Sequence, residues 1–256
     1  MPETDLALLT RAALEAGEIA MGHFNRDPQV WHKPGDEGPV TEADLAVDAH
    51  LSGLLTSARP DYGWLSEETR DDHDRLHKAR VFVIDPIDGT RSFIRGDRDW
   101  AHALAVVEDG VAVAGVVHMP ARGLTFAAAR GAGARLNGEA ISVSAVSDPA
   151  HARVLATKAN MDPSHWSGGV PGFQRSFRSS LAYRMSLAAQ GRFDAMLTLR
   201  PAWEWDIAAG AVIVAEAGGH AVDRHGRPLR FNTRDRLLDG VLAGGTVVPA
   251  LVAALA

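Results

Sequence analysis

The sequence predicts an α+β first half, residues 1–145, followed by an α/β second half, residues 146–256. Three observations carry that expectation. Val81-Phe82-Val83-Ile84 is a compact β-branched and aromatic run, the pattern of a buried strand. Leu104 to Val107 and Val111 to Val117 flank Glu108-Asp109-Gly110, which reads as a hairpin. Beyond residue 150, short strand-like runs alternate with helical patterns, as in βαβ-type folds. A chain of 256 residues buries a substantial core as one large domain or two smaller ones.

Leu6, Leu9, Ala13, Ala16 and Ala20 recur at helical spacing and predict an amphipathic helix ending near His23-Phe24. Lys33 to Pro39 is a polar loop rich in Gly and Pro. Thr41 with Asp44 three residues later has the form of a capping box, opening a helix through Leu45, Val47, Leu51 and Leu55 that Pro60 stops. Further strands are expected at Leu124 to Ala129, Val154 to Ala156, Ala195 to Leu199 and Val241 to Ala243. Helices are expected at Leu181 to Ala189, closed by Gly191, and at Asp206 to Ala217, closed by Gly218-Gly219. Val247 to Ala256 reads as a docking helix or a strand-helix remnant.

Composition narrows the class. With 46% hydrophobic and 23% charged residues the chain is ordinary for a soluble globular protein. A net charge of -6 gives no general attraction to nucleic acid polymers or anionic membrane. There is no cysteine, hence no disulfide, thiolate metal site or cysteine nucleophile, which fits a cytoplasmic location. The acidic start does not resemble a secretory signal, and no apolar run approaches the ~20 residues of a membrane span.

The strongest chemical signal is Asp85-Pro86-Ile87-Asp88-Gly89-Thr90 at the end of the Val81–Ile84 strand. Magnesium takes hard oxygen ligands, and two carboxylates at a strand's end can converge on one cleft. The Ile87 carbonyl offers another oxygen, and Gly89 and Thr90 offer free amides to a phosphate if they open a helix. Asp, Pro and Gly are also turn formers, so the hexapeptide alone is equally a turn. Glu67-Glu68 alone reads as a solvated loop, and Asp206 and Asp44 alone read as helix-capping acids.

Together these segments resemble the inositol monophosphatase family of lithium-sensitive, magnesium-dependent phosphatases. The resemblance rests on Trp64-Leu65-Ser66-Glu67-Glu68-Thr69, Asp85 to Thr90, and Trp205-Asp206-Ile207-Ala208-Ala209-Gly210, in the family's order, with Val40 to Asp44 matching its early helix. It implies a layered αβαβα sandwich and two or three Mg2+ ions per active site. Glu67, Asp85 and the Ile87 carbonyl would hold the first metal; Asp85, Asp88 and Asp206 would hold a second. Thr90 with Glu67 would orient or deprotonate the attacking water, with Asp44 a supporting acid. Gly89, Thr90, Asp88, Asp206, Arg178, Ser179 and Glu204 would contact substrate. Lys33 and the loop after it would form a flap near the metals, and a homodimer is expected.

Within the family the implied substrate is a small phosphorylated metabolite. Arg91-Ser92-Phe93-Ile94, where inositol phosphatases carry Asn-Phe, looks more like the bisphosphate nucleotidase or histidinol-phosphate branches. Glu204-Trp205-Asp206 is similar to nucleotidases. The expected substrate is therefore 3'-phosphoadenosine 5'-phosphate, with inositol 1-phosphate and then histidinol phosphate as alternatives. Arg91, Arg95 and Arg98 are candidates for a second phosphate, or else a solvated basic loop. A non-catalytic interaction protein of the same fold would have lost one of Glu67, Asp85, Asp88, Thr90 or Asp206, and all are present. The histidines show no ligand spacing; His23, His32, His50, His73 and His77 read as surface or packing residues.

Overall fold

The computed structural model describes residues 3–33 and 38–256. Five layers alternate helix and sheet, as the resemblance implied. The outermost is a helix pair, α1 (Asp5–His23) and α2 (Glu42–Ala58), joined through a short antiparallel ribbon of β1 (Val30–His32) and β2 (Pro39–Thr41). The connecting residues 34–37 of the expected flap lie outside the described residues.

The second layer is a seven-stranded sheet in sequence order. Its strands are β3 (Gly63–Ser66), β4 (Arg80–Asp88), β5 (Ala101–Glu108), β6 (Val111–Met119), β7 (Leu124–Ala129), β8 (Ala134–Leu136) and β9 (Glu139–Ala140). Only the β3–β4 pairing is parallel. The predicted hairpin joins β5 to β6. Asp109 and Gly110 both have positive φ (50° and 80°), the left-handed pair that matches the twist of a two-residue hairpin turn.

Strand alternation divides the core. Phe82, Ile84, Leu104, Val106 and Val116 pack under the outer helices against Leu8, Leu9, Ala12, Val47 and Leu51. Val81, Val83, Ala103, Ala105 and Val117 face the opposite way, into a middle layer of α4 (Leu181–Ala189) and α5 (Glu204–Glu216). Leu45, counted in the apolar pattern of α2, is instead 45% exposed. The short helix α3 (Thr90–Ile94) follows β4 directly.

The fourth layer is a five-stranded sheet built from β10 (Arg153–Leu155), β11 (Gln174–Ser176), β12 (Ala195–Thr198), β14 (His220–Val222) and β16 (Val241–Gly244), in the order β11-β10-β12-β16-β14. A separate pair, β13 (Ala202–Trp203) and β15 (Leu237–Leu238), flanks it. Helix α6 (Val248–Ala253) and short helical turns close the far side, where Val154, Leu197 and Leu242 meet Trp166, Phe173, Val248 and Leu251.

Helix α5 is apolar nearly all round because sheets lie on both sides of it. Its approach to the large sheet depends on Gly115 in β6, where an added Cβ would stand 2.7 Å from Val212 and 2.9 Å from the Ala209 backbone. Gly53, exposed in α2, has nothing within 4 Å of such an atom. We predict that Gly115→Ala costs about 1–3 kcal/mol in urea unfolding, because helix or sheet must move. Gly53→Ala should gain about 0.5–1 kcal/mol from backbone entropy alone. Equal effects would contradict the close α5–sheet contact.

Candidate metal centre and active site

The site forms where β4 stops being a regular strand. The β4–β5 register runs to Asp85 opposite Ala103, breaks, and resumes at Asp88 opposite Ala101. Pro86 cannot donate to the ladder, so the chain bulges there and re-aims its side chains. His102, in the gap on β5, fills the break by donating Nδ1–H to the Pro86 carbonyl. Gly89 then turns the chain with φ 99°, and a Cβ there would lie 2.9 Å from Asp99 O, so only glycine fits. Thr90 opens α3, which leaves its amide without a partner inside the helix.

Other elements deliver the remaining acids. Glu67 follows β3, and its amide donates to Ile84 O (3.2 Å), which keeps it beside Asp85. Asp206 lies in the first turn of α5; the N-cap is Trp203, so the plain capping reading of Asp206 does not hold. Asp44 does close the capping box: its Oδ2 accepts from the Thr41 amide (2.8 Å). Its Oδ1 accepts from Thr90 Oγ1 (3.3 Å), and Thr90 also donates to the Ile87 carbonyl (3.1 Å). One chain of contacts thus joins α2, the turn and α3.

Asp85, Asp88 and Asp206 each bring a carboxylate oxygen within 4.8 Å of the others. Asp85 and Asp88 are buried. Burial first, then the neighbouring charges of Glu67 and Asp88, pushes the Asp85 pKa well above the usual range; burial and Asp88 do the same to Asp206. Asp88 is also raised by burial, but only to about 6, because Ser180 Oγ (2.7 Å) and the Ala182 amide (2.6 Å) both donate to its Oδ2. Asp44 is raised to about 6 and Glu68 to about 7, each chiefly by burial. Lys33 Nζ reaches Glu67 (2.9 Å) and Glu68 (2.8 Å). Burial alone would lower the Lys33 pKa, but these two carboxylates more than offset it and raise it.

Such a cluster asks for a cation. Asp85 Oδ1 is buried with no hydrogen-bond partner among the described residues, although buried acceptors are rarely left so. All donors here are oxygens, the set that suits a hard divalent ion. Asp85, Asp88 and Asp206, with Glu67 alongside, can hold one.

With the geometry in view, comparison with known proteins is decisive. The sequence profile of the inositol monophosphatase family matches residues 1–253. The chain belongs to the inositol monophosphatase family. Its relatives include a histidinol-phosphatase of Chlorobaculum parvum, 34% identical over 233 residues that cover 87% of each chain. A 3'-phosphoadenosine 5'-phosphate phosphatase of Mycobacterium leprae is 34% identical over 97% of this chain and 92% of its own. Among solved structures, a Thermotoga maritima IMPase superposes with TM-score 0.82 at 28% identity, covering 95% of this chain and 93% of its own. This is a metal-dependent family of phosphatases whose members act on small phosphorylated substrates, and this chain is a phosphoric monoester hydrolase. No helix among the described residues is long and apolar enough to cross a membrane.

The structure also departs from several expectations. Glu204, expected to contact substrate, is fully buried, and both its oxygens are taken: Oε1 by Thr233 N (2.8 Å) and Oγ1, Oε2 by Asn232 N (2.6 Å). It anchors the loop before β15. Among the described residues Ser179 forms no hydrogen bond to the carboxylates, whereas its neighbour Ser180 caps α4 and donates to Asp88. Arg178 donates to the Phe177 carbonyl (2.6 Å) and lies 3.9 Å from Asp99. Arg95 is paired with Asp97 (2.8 Å), Arg98 donates Nε–H to Ala121 O, and Arg91, Arg95 and Arg98 are all exposed on the surface.

Sequence reading missed His102 and Arg184; Ser180 was read with Arg178 and Ser179 as a substrate-side segment or a simple cap, and it is the cap of α4 that also holds Asp88. His102 had a readable signal: it shares strand parity with Leu104 and Val106, so a polar ring stood on a buried face. Burial lowers its pKa to about 3, so it stays neutral and acts as a hydrogen-bond donor only.

The raised carboxylates predict a pH effect. Their folded-state pKa values stand above the unfolded value of 3.8, so the metal-free fold loses stability as pH rises from about 4 through about 6 and beyond. Asp85→Asn removes one such group and gives its neighbours an amide donor. In metal-free protein it should raise Tm at pH 7.5, by about 2–4 °C per kcal/mol relieved, and the gain should shrink at pH 4.5. Calorimetric scans check this; an equal loss at both pH values would contradict the mutual repulsion.

Proposed function

We propose that the chain is a magnesium-dependent phosphomonoesterase whose preferred substrate is 3'-phosphoadenosine 5'-phosphate. The observation that carries the metal-dependent hydrolysis is the convergence of Asp85, Asp88 and Asp206 around an unpartnered buried oxygen. The ligands would be Glu67, Asp85, the Ile87 carbonyl, Asp88 and Asp206, for two or three ions. Bound magnesium supplies charge neutralisation at the phosphoryl oxygens and a water of lowered pKa.

The protein's own residues do the rest. Thr90 Oγ1 donates its proton to Asp44 or Ile87 O, which leaves its lone pairs facing a water that it can orient. Glu67, beside the cluster, takes the proton from that water as its oxygen bonds to phosphorus and the P–O ester bond breaks; the departing alkoxide takes up a proton from solvent and leaves as the alcohol. Lys33 Nζ bridges Glu67 and Glu68 and so fixes the position of the Glu67 carboxylate beside the cluster. Ser180 and the Ala182 amide fix the Asp88 rotamer, which matters because misplaced ligands lose most of the benefit of positioning. The amides of Gly89 and Thr90 are the donors proposed for the phosphate.

The Arg91-Ser92-Phe93-Ile94 segment fits the nucleotidase and histidinol-phosphate branches alike; the nucleotidase reading is supported by Glu204-Trp205-Asp206 and by the Mycobacterium leprae relative that spans nearly the whole chain. The Chlorobaculum parvum relative favours histidinol phosphate as the second reading. Phosphate release with magnesium from 3'-phosphoadenosine 5'-phosphate, inositol 1-phosphate and histidinol phosphate should favour the first by about 100-fold in kcat/KM, near 2.7 kcal/mol. Preference for either of the others reassigns the substrate. Asp88→Asn should lower turnover by at least about 1,000-fold with its circular dichroism unchanged. Near-normal turnover would refute the ligand role.

A further inference from the structure

The mechanism above leaves one buried charge unused. Arg184 sits in α4, one turn beyond the N-cap Ser180, and is 4% exposed. Its amide donates to Ser180 O (3.2 Å), so the two residues share a helix face. Helical side chains lean back towards the N-terminus, which aims the Arg184 guanidinium at the end of α4 where Ser180 meets Asp88. Yet Nε and Nη1 are both buried without a hydrogen-bond partner among the described residues. Arginine forks in protein interiors are ordinarily satisfied, because a desolvated and unpaired guanidinium is costly.

The surroundings are built for an anion. The Phe177 ring lies 5.6 Å from the guanidinium carbon and is itself 46% exposed, so it covers the charge without locking it away. Burial lowers the Arg184 pKa to about 10; the charges of Asp88 and Asp206 oppose that fall and nearby Arg200 adds to it. Two like charges are therefore gathered beside the carboxylates. Once Asp88 and Asp206 serve a metal, their charge is spoken for, and the positive side of the cleft is left without a counter-ion.

We infer that Arg184 is a specificity-determining residue: its unpartnered guanidinium edge binds a second phosphoryl group of a bisphosphorylated substrate whose first phosphate lies over Asp85, Asp88 and Asp206. The inference rests on the phosphatase reading of that site. It makes a buried arginine, in place of the exposed Arg91, Arg95 and Arg98, the residue that recognises the second charge. A planar fork suits a phosphate because two parallel N–H groups meet two oxygens, with Phe177 as the side chain that swings aside.

Two substrate pairs test it, each differing only by the second phosphate: 3'-phosphoadenosine 5'-phosphate against adenosine 3'-monophosphate, and inositol 1,4-bisphosphate against inositol 1-phosphate. Wild-type protein should prefer the bisphosphate in at least one pair, which also identifies whether a nucleotide or a polyol carries it. In Arg184→Met that preference, as a ratio of kcat/KM values, should fall by about 10–100-fold, mainly through KM, and Arg184→Lys should retain part of it. In magnesium-loaded protein, where Asp88 and Asp206 would serve the cation, Arg184→Met should also unfold at a temperature equal to or above wild type, since an unpaired buried charge is removed. The inference is overturned if wild type shows no bisphosphate preference while hydrolysing monophosphates. It is equally overturned if Arg184→Met leaves the ratio intact or markedly lowers the unfolding temperature. Hydrolysis of no member of either pair would instead bring down the phosphatase reading on which it stands.

Discussion

Carboxylates that repel one another stay together only when backbone around them cannot yield. In this protein the repulsion among Asp85, Asp88, Asp206 and Glu67 is contained by four separate elements, each fixed by ordinary packing. A break in the β4–β5 ladder aims Asp85 and Asp88, β3 sets Glu67 alongside, and α5 brings Asp206 from the opposite layer. The apolar core between the sheets supplies the rigidity, and Gly115 sets how closely α5 can approach. Stability given up at the cluster is what makes it a receptor for cations.

A ring of second contacts tunes that arrangement. Ser180 and Ala182 take up one oxygen of Asp88, which is why its pKa rises less than those of Asp85 and Asp206. Thr41 and Thr90 do the same for Asp44. His102 holds the Pro86 carbonyl from within the sheet and stacks beside His118, keeping the turn from collapsing into regular strand. Ser180, Ala182, Thr41 and His102 have no proposed contact with phosphate, yet together with Thr90 they decide which carboxylate oxygens remain available to a metal.

Much of this was legible in the sequence, and what was not has identifiable causes. The Asp85–Thr90 turn, Glu67 and Asp206 stand in short motifs whose resemblance to the inositol monophosphatase family marked them, whereas by spacing alone Glu67 read as a solvated loop and Asp206 as a helix cap. The Thr41–Asp44 box was equally local. Ser180 reaches Asp88 across 92 residues, and no local pattern encodes such a meeting. Glu204 was misplaced for a reason helix geometry explains: at about 100° per residue it points some 200° away from Asp206, into the loop at Thr233 rather than the cleft. Arg184 hid within an apolar helix, where a long basic side chain ordinarily snorkels to water.

The central claim is that the buried carboxylates form one metal centre. Titration of magnesium into wild-type protein and Asp206→Asn by isothermal calorimetry tests it without reference to any substrate. A shared centre predicts saturable binding to wild type and at least about tenfold weaker binding once the acid from α5 is neutralised. Identical isotherms for the two proteins would mean that Asp206 does not share an ion with Asp85 and Asp88, and the account of the site would fail.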